Sequence, residues 1–168
     1  MQFTQARPSW VRPASIHLTL KFLGEIKEEE IERINAQLRS VAAETAPFQL
    51  SLRKLGVFPN EKFPRVLWIG IQQGHDAVIA LQKKVEEGLV QLGFPAENRP
   101  FHPHLTLARI KSLRGTRQMM DVVKSHENIE AGECRADRVI LFRSVLKPTG
   151  AVYTRIREAI FELPPTGV

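Results

Sequence analysis

The feature that most constrains this chain is a nine-residue pattern that occurs twice. Arg-Pro-x-x-x-His-Leu-Thr-Leu is found once around His17 and once around His104, which are 104 − 17 = 87 residues apart. In an extended strand, side chains two positions apart project from the same face. Each copy therefore predicts a strand with a histidine and a threonine on one face, the threonines being Thr19 and Thr106.

Two such strands side by side predict a site for acid–base chemistry. The unperturbed pKa of histidine, about 6.5, lets one imidazole accept a proton while another donates one. A phosphodiester requires hydrogen-bond donors for its non-bridging oxygens, which threonine hydroxyls can supply. In-line displacement at phosphorus also requires a base and an acid on opposite sides. We therefore predict a catalytic pair, His17 and His104, that cleaves phosphodiesters without a metal or other cofactor. Thr19 and Thr106 would bind the phosphate.

Composition is that of an ordinary globular protein. The 168 residues, 43% hydrophobic and 25% charged, are enough for one domain with a buried core. No apolar run approaches the ~18 residues that cross a membrane, and the N-terminus lacks the apolar centre of a signal peptide. Because Cys134 is the only cysteine, no intramolecular disulfide can form, and a cytoplasmic location is expected. The net charge of +6 favours an anionic partner such as nucleic acid.

Hydrophobic periodicity predicts an α+β fold with largely antiparallel sheets. Residues 1–15 are expected to be irregular. Apolar positions at three- and four-residue spacing predict helices over residues 28–43, 76–92 and 116–126. Alternating runs predict strands over residues 17–23, 48–52, 66–71, 104–110, 139–145 and 151–161, with a turn at 147–150. Residues 57–58 and 66–68 are expected to be two strands around a long turn. Residues after 163 are expected to form a tail.

The repeat predicts a single domain, residues 1–168, made of two lobes. No linker separates the motif copies at residues 17–20 and 104–107. We expect one copy in each lobe, two sheets related by a pseudo-twofold axis, helices on the outside and an active-site cleft between the lobes.

These motifs resemble those of the 2H phosphoesterases, a family named for two His-x-Thr-x motifs. Residues 55–59, Leu-Gly-Val-Phe-Pro, and residues 64–68, Pro-Arg-Val-Leu-Trp, are similar to the segment between the motifs of RNA 2′,3′-cyclic phosphodiesterases, first described as 2′-5′ RNA ligases. The pattern Ser-x-Leu-x-Pro-x-Gly-x-x-Tyr, which begins at Ser144, resembles the C-terminal hairpin of that branch.

The resemblance implies hydrolysis of RNA 2′,3′-cyclic phosphate ends to 2′-phosphomonoesters, with reversible 2′-5′ RNA ligation as a second activity. It implies that His17 protonates the leaving oxygen and that His104 activates water, while Thr19 and Thr106 grip the phosphate. Arg109 stands where related enzymes carry a substrate-contacting arginine. The partner would be an RNA or nucleotide with a cyclic phosphate end, and no membrane is involved.

Three side chains near the motifs allow a structural or a functional interpretation. Phe58, beside a proline-rich loop, is a candidate for stacking on a base. Trp68 is expected in the core. Lys21, on the polar face of the first strand, is interpreted either as a substrate contact or as a solvated charge.

The N-terminus departs from the pattern of relatives, which usually open with a strand and a helix. Residues 1–9 are too few for both, so both elements are expected to be missing. The chain is expected to be a monomer, with self-association through an exposed sheet edge as the alternative.

Two other functions use the same residues. His102 forms a His-x-His pair with His104, and with His17 it would complete a three-histidine zinc site of a metal-dependent hydrolase. Pro103 opposes that arrangement because it interrupts the strand between the two histidines. The second alternative is a non-catalytic module that binds RNA ends or nucleotides. Binding alone, however, does not require both an acid and a base.

Overall fold

The computed structural model of the protein describes residues 8–112, 114–147 and 150–162. The described part contains the helices α1 (Ile31–Ala43), α2 (His75–Gln91) and α3 (Thr116–Ser125). Its strands are β1 (Pro8–Trp10), β2 (Phe48–Phe58), β3 (Val66–Ile71), β4 (His104–Ile110), β5 (Glu130–Ala136), β6 (Arg138–Lys147) and β7 (Gly150–Ile160). The predicted turn at residues 148–149 and the predicted tail after residue 163 lie outside the described residues.

The strands form two sheets, which confirms the predicted α+β class. A five-stranded sheet has the order β1-β4-β3-β2-β5, and β6 and β7 form a two-stranded sheet. The pairs β1–β4, β3–β4, β2–β3 and β6–β7 are all antiparallel. Among the described residues, no helix is long and apolar enough to cross a membrane.

The three predicted helices are confirmed to within a few residues at their ends. The first begins as a 3-10 turn over Glu28–Glu30, where three glutamates occupy the end of the helix that favours negative charge. The strand predicted over residues 48–52 and the one predicted at residues 57–58 are a single strand, β2, and its pairing with β3 confirms the two strands around the long turn. Strand β5 was not predicted, because all but one of its residues are exposed and it has no buried alternation to detect.

The prediction of a strand over residues 17–23 is wrong. Only Leu18 forms a ladder contact, an isolated antiparallel bridge to Leu105. Strand β4 begins at His104. An antiparallel strand that continued past Thr19 would have to pair with Pro103, which has no N–H to donate to the ladder. Phe22, expected on the apolar face of that strand, is 78% exposed.

The prediction that residues 1–15 are irregular is wrong in part. Pro8–Trp10 forms strand β1, and Pro13–Ser15 forms a 3-10 turn. Strand β1 pairs with β4 from Pro8 opposite Ile110 to Trp10 opposite Ala108. The edge of β4 is therefore covered by a strand of three residues.

The chain divides into two compact units, each with its own hydrophobic core. Unit 1 comprises residues 1–19, 50–75 and 102–134, and unit 2 comprises residues 20–49, 76–101 and 135–168. In unit 1, α3 packs on one face of the large sheet through Met119, Met120 and Val123. In unit 2, α1 and α2 pack with β6 and β7, and Ile34 and Leu89 are among the most buried residues.

Both histidine–threonine pairs belong to unit 1, although one motif was expected in each lobe. His17 to Thr19 and His104 to Thr106 are joined by the Leu18–Leu105 bridge, which brings the motifs together as neighbouring segments of one unit. The repeated motif in the sequence could not show that both pairs belong to one unit, because this depends on which backbone segments pair in the folded protein.

Lys21 belongs to unit 2 and is not a solvated charge, which was one of its two interpretations. Its side chain is only 6% exposed, and its Nζ donates to Glu86 Oε1 at 2.7 Å and to the carbonyl oxygen of Pro95 at 2.7 Å. The backbone N–H of Glu97 donates to the same Glu86 oxygen at 2.9 Å. Lys21 is therefore a structural residue that holds α2 and the loop after it.

Candidate active site

A single antiparallel bridge arranges the four motif side chains. Because Leu18 lies opposite Leu105, the adjacent rungs set His17 opposite Thr106 and Thr19 opposite His104. Directly opposed residues share a face, with Cβ atoms about 5 Å apart, and diagonal neighbours are about 7–8 Å apart. The two histidines therefore lie on one diagonal of a small square and the two threonines on the other, which is a local pseudo-twofold arrangement.

The two histidines make the same hydrogen bond. Nδ1 of His17 lies 2.8 Å from the carbonyl oxygen of Ser15, and Nδ1 of His104 lies 2.7 Å from that of His102. A carbonyl oxygen only accepts, so each Nδ1 carries the proton. Each Nε2 is then the ring nitrogen that accepts a proton in the neutral form and donates one in the charged form. Both rings are half-buried.

A β-bulge places Arg109 on the face of the motif residues. Trp68 opposes Thr106 and Val66 opposes Arg109, so Leu107 is the extra residue on β4. Residues 66 and 68 of β3 share a face, and therefore so do Thr106 and Arg109. In a regular strand, residues 106 and 109 would project from opposite faces, and Arg109 would face the core. With the bulge, Ala108 takes the position on the core face, where it is fully buried.

An aromatic cluster lies against His104. The Phe58 ring contacts the His104 ring edge-to-face at 5.0 Å between centroids, and Trp68 lies 6.2 Å from His104 and 5.2 Å from Phe58. Phe58 is thus beside the predicted catalytic residue. The expected core position of Trp68 is wrong, because its half-buried ring lies on the motif face while Leu67 and Ile69 fill the core.

Gly56 makes room for the Trp68 ring. It lies directly opposite Trp68, and a Cβ on Gly56 would lie 2.2 Å from Trp68 Cζ2. A sequence signal for this arrangement exists. The alternation of Leu67, Ile69 and Ile71 assigns one face of β3 to the core, which leaves Trp68 on the other face.

His102 does not join His17 and His104 in a metal-binding group. Its side chain is exposed, its carbonyl oxygen accepts the bond from His104, and its ring lies 6.4 Å from that of Phe58. Within residues 8–112, 114–147 and 150–162, no three His, Cys, Asp or Glu side chains are grouped so that they could hold a metal ion.

Comparison with known proteins gives consistent relatives. The family model of the 2′-5′ RNA ligase superfamily matches residues 2–147 of the chain. The RNA 2′,3′-cyclic phosphodiesterase of Methanothermobacter thermautotrophicus is 34% identical over 154 residues, which cover 92% of this chain and 83% of that protein.

Solved structures show the same fold. The crystal structure of TT0787 of Thermus thermophilus superposes with a TM-score of 0.75 at 34% identity, covering 90% of this chain and 81% of that one. Escherichia coli LigT complexed with 3′-AMP superposes with a TM-score of 0.73 at 23% identity, covering 97% and 85%.

Proposed function

This chain belongs to the 2′-5′ RNA ligase superfamily, and we propose that it hydrolyses RNA 2′,3′-cyclic phosphate ends to 2′-phosphomonoesters. The observation that supports this most is the matched pair of imidazoles. Each Nδ1 is bound to the carbonyl oxygen two residues before it, and the Leu18–Leu105 bridge sets the two rings on one diagonal. Two Nε2 atoms on one face are what an acid and a base acting on one phosphorus require.

The reaction balances with water as the only co-reactant. His104 Nε2 accepts a proton from water as the water oxygen bonds to phosphorus. The bond from phosphorus to the 3′ oxygen breaks, and His17 Nε2 donates its proton to that oxygen. The products are a 2′-phosphomonoester and a free 3′-hydroxyl, and exchange with solvent restores both histidines. With a 5′-hydroxyl in place of water as the nucleophile, the same steps in the same direction form a 2′-5′ linkage and release the 3′-hydroxyl, and their reverse cleaves that linkage.

Three side chains stabilise the charge on the phosphate. Thr19 and Thr106 occupy the other diagonal, so each hydroxyl lies next to a histidine and can donate to a non-bridging oxygen. Arg109 shares the face of Thr106 and is exposed, so its guanidinium can bind the same phosphate.

Phe58 is the proposed contact for the terminal base. Its half-buried ring lies next to His104, and an aromatic face stacks on any of the four bases. A base on Phe58 would keep the attached ribose close to the general base.

The proposed enzyme is a cytoplasmic monomer. The single cysteine, Cys134, is exposed and free, as expected in a reducing compartment. Strand β1 pairs with β4 from Pro8 to Trp10 and so covers that edge of β4 against pairing with a second copy.

Product analysis on a 2′,3′-cyclic nucleotide tests the proposal. We expect a 2′-phosphate as the product, identified by phosphorus NMR, and equal activity after dialysis against a chelator. A 3′-phosphate would overturn the assigned leaving group. Loss of activity on chelation that zinc restores would replace the two-histidine mechanism with a metal-dependent one.

A further inference from the structure

We propose that Arg53 binds the phosphate that precedes the terminal nucleotide, so that the site is built for an RNA chain rather than for a free cyclic mononucleotide. This inference rests on the proposed function and adds a second phosphate subsite to it. It comes from the register of three adjacent strands in unit 1, which places an arginine across the sheet from the general base.

Arg53 lies on the same face of the sheet as His104. On β2 it opposes Gly70 of β3, and Gly70 opposes His104 of β4. Adjacent strands are about 4.8 Å apart, so the backbones of Arg53 and His104 are separated by about 10 Å. A single phosphate seated between Thr19 and Thr106 cannot span that distance, but the next phosphate of an RNA chain can.

The rung between the two residues carries no side chain of its own. Gly70 occupies it, and the edge of the Trp68 ring would lie 3.4 Å from a Cβ built there. The rung between His104 and Arg53 is therefore bordered by an aromatic edge. Aromatic rings beside cations are the usual surface for single-stranded nucleic acid.

The Arg53 guanidinium is held on this face before any ligand arrives. Its Nη1 donates to Gln72 Oε1 at 3.2 Å, and Gln72 lies two positions after Gly70. Glu130 lies 3.6 Å from the same nitrogen, but its side chain is 74% exposed. Such exposed pairs are weak, so a phosphate can displace the carboxylate while Gln72 keeps the guanidinium in place.

The test compares two substrates, 2′,3′-cyclic AMP and a tetraribonucleotide that ends in a 2′,3′-cyclic phosphate. We expect wild-type enzyme to have the lower KM for the tetranucleotide. Arg53→Gln should raise that KM about tenfold and leave kcat/KM for cyclic AMP unchanged. The salt dependence of log kcat/KM for the tetranucleotide should become shallower by about 0.7 per decade.

Two variants serve as controls. Arg117→Gln removes the same charge from α3, which packs on the opposite face of the sheet, and should change neither KM. Arg53→Lys should restore part of the tetranucleotide affinity. Equal losses on both substrates in Arg53→Gln, or an equal effect of Arg117→Gln, would overturn the subsite. A wild-type enzyme inactive on both substrates would instead overturn the proposed function.

Discussion

The two motif regions have the same tetrapeptide, His-Leu-Thr-Leu, in different backbones. The second copy opens β4, which pairs with both β1 and β3. The first copy follows a 3-10 turn, Pro13–Ser15, and makes one ladder contact. The residues before the second copy, 100–103, are irregular, so the shared Arg-Pro does not impose a shared conformation. The carbonyl that orients each histidine is nevertheless two residues before it in both copies.

The two motifs are therefore alike in the short backbone segment that orients each histidine, although only the second motif is part of a strand. A bond from Nδ1 to the carbonyl two residues earlier needs only a locally extended chain. Strand β4 also places His104 against the Phe58 and Trp68 rings.

Removal of either histidine should have the largest effect. His17→Ala and His104→Ala should each lower kcat by about 10²–10⁴-fold, since each removes one arm of the acid–base pair. The wild-type pH–rate profile should be bell-shaped, and each variant should lose one limb of it. Stopped assays of product formation over a range of pH would measure kcat and both limbs of the profile. Circular dichroism would check that the variants are folded.

A sulfur-substituted substrate separates the two roles. When the 3′ oxygen is replaced by sulfur, the thiolate leaves without protonation. Activity on this substrate should recover in His17→Ala and stay low in His104→Ala. Recovery in His104→Ala alone would exchange the acid and base assignments.

Loss of either threonine hydroxyl should have the next largest effect. Thr19→Val and Thr106→Val keep the side-chain shape and remove one donor, so each should lower kcat about 10²-fold. Similar losses would show that the phosphate is shared evenly by the two motifs. Wild-type rates in both variants would contradict the proposed phosphate site.

Gly56→Ala should affect the second motif without touching the first. Its Cβ would lie 2.2 Å from Trp68 Cζ2, so the ring that contacts His104 must move. We expect a loss of about 1–3 kcal/mol in the free energy of unfolding, measured with urea. Gly70→Ala, whose Cβ meets the Arg53 carbonyl oxygen at 3.1 Å, should cost less. The reverse order would show that the Trp68 ring is not fixed by Gly56.

The smallest effect is expected from replacing Arg99, the first residue of the second Arg-Pro-x-x-x-His-Leu-Thr-Leu pattern. Hydrogen bonds from Arg99 lower the pKa of Glu97 from 4.5 to about 2. Because the folded value is the lower one, the pair contributes stability above pH 4.5 that is lost as the pH falls through about 2. Both side chains are exposed, so the contribution is small. Arg99→Gln should return the pKa of Glu97 toward 4.5 in an NMR titration, and an unchanged titration would contradict the pairing.

Much of the fold could be predicted because its signals are local. The three helices have apolar faces at helical spacing, and α1 ends at Ala43 as predicted. The strand over residues 17–23 could not be excluded locally, since its alternation is real and only the start of β4 at His104 limits its pairing. Strand β5 shows the converse, because exposed residues pair through backbone atoms that leave no pattern in the sequence.

The sequence by itself determined the chemical groups, since the repeated pattern selects His17, His104 and the two threonines without reference to any fold. Only the tertiary structure decided how they meet. The Leu18–Leu105 bridge joins the two histidine–threonine pairs within one unit, and the bulge at Leu107 turns Arg109 onto their face. The physical reason is that register and bulges depend on which strands pair, and that choice is made by residues far apart along the chain.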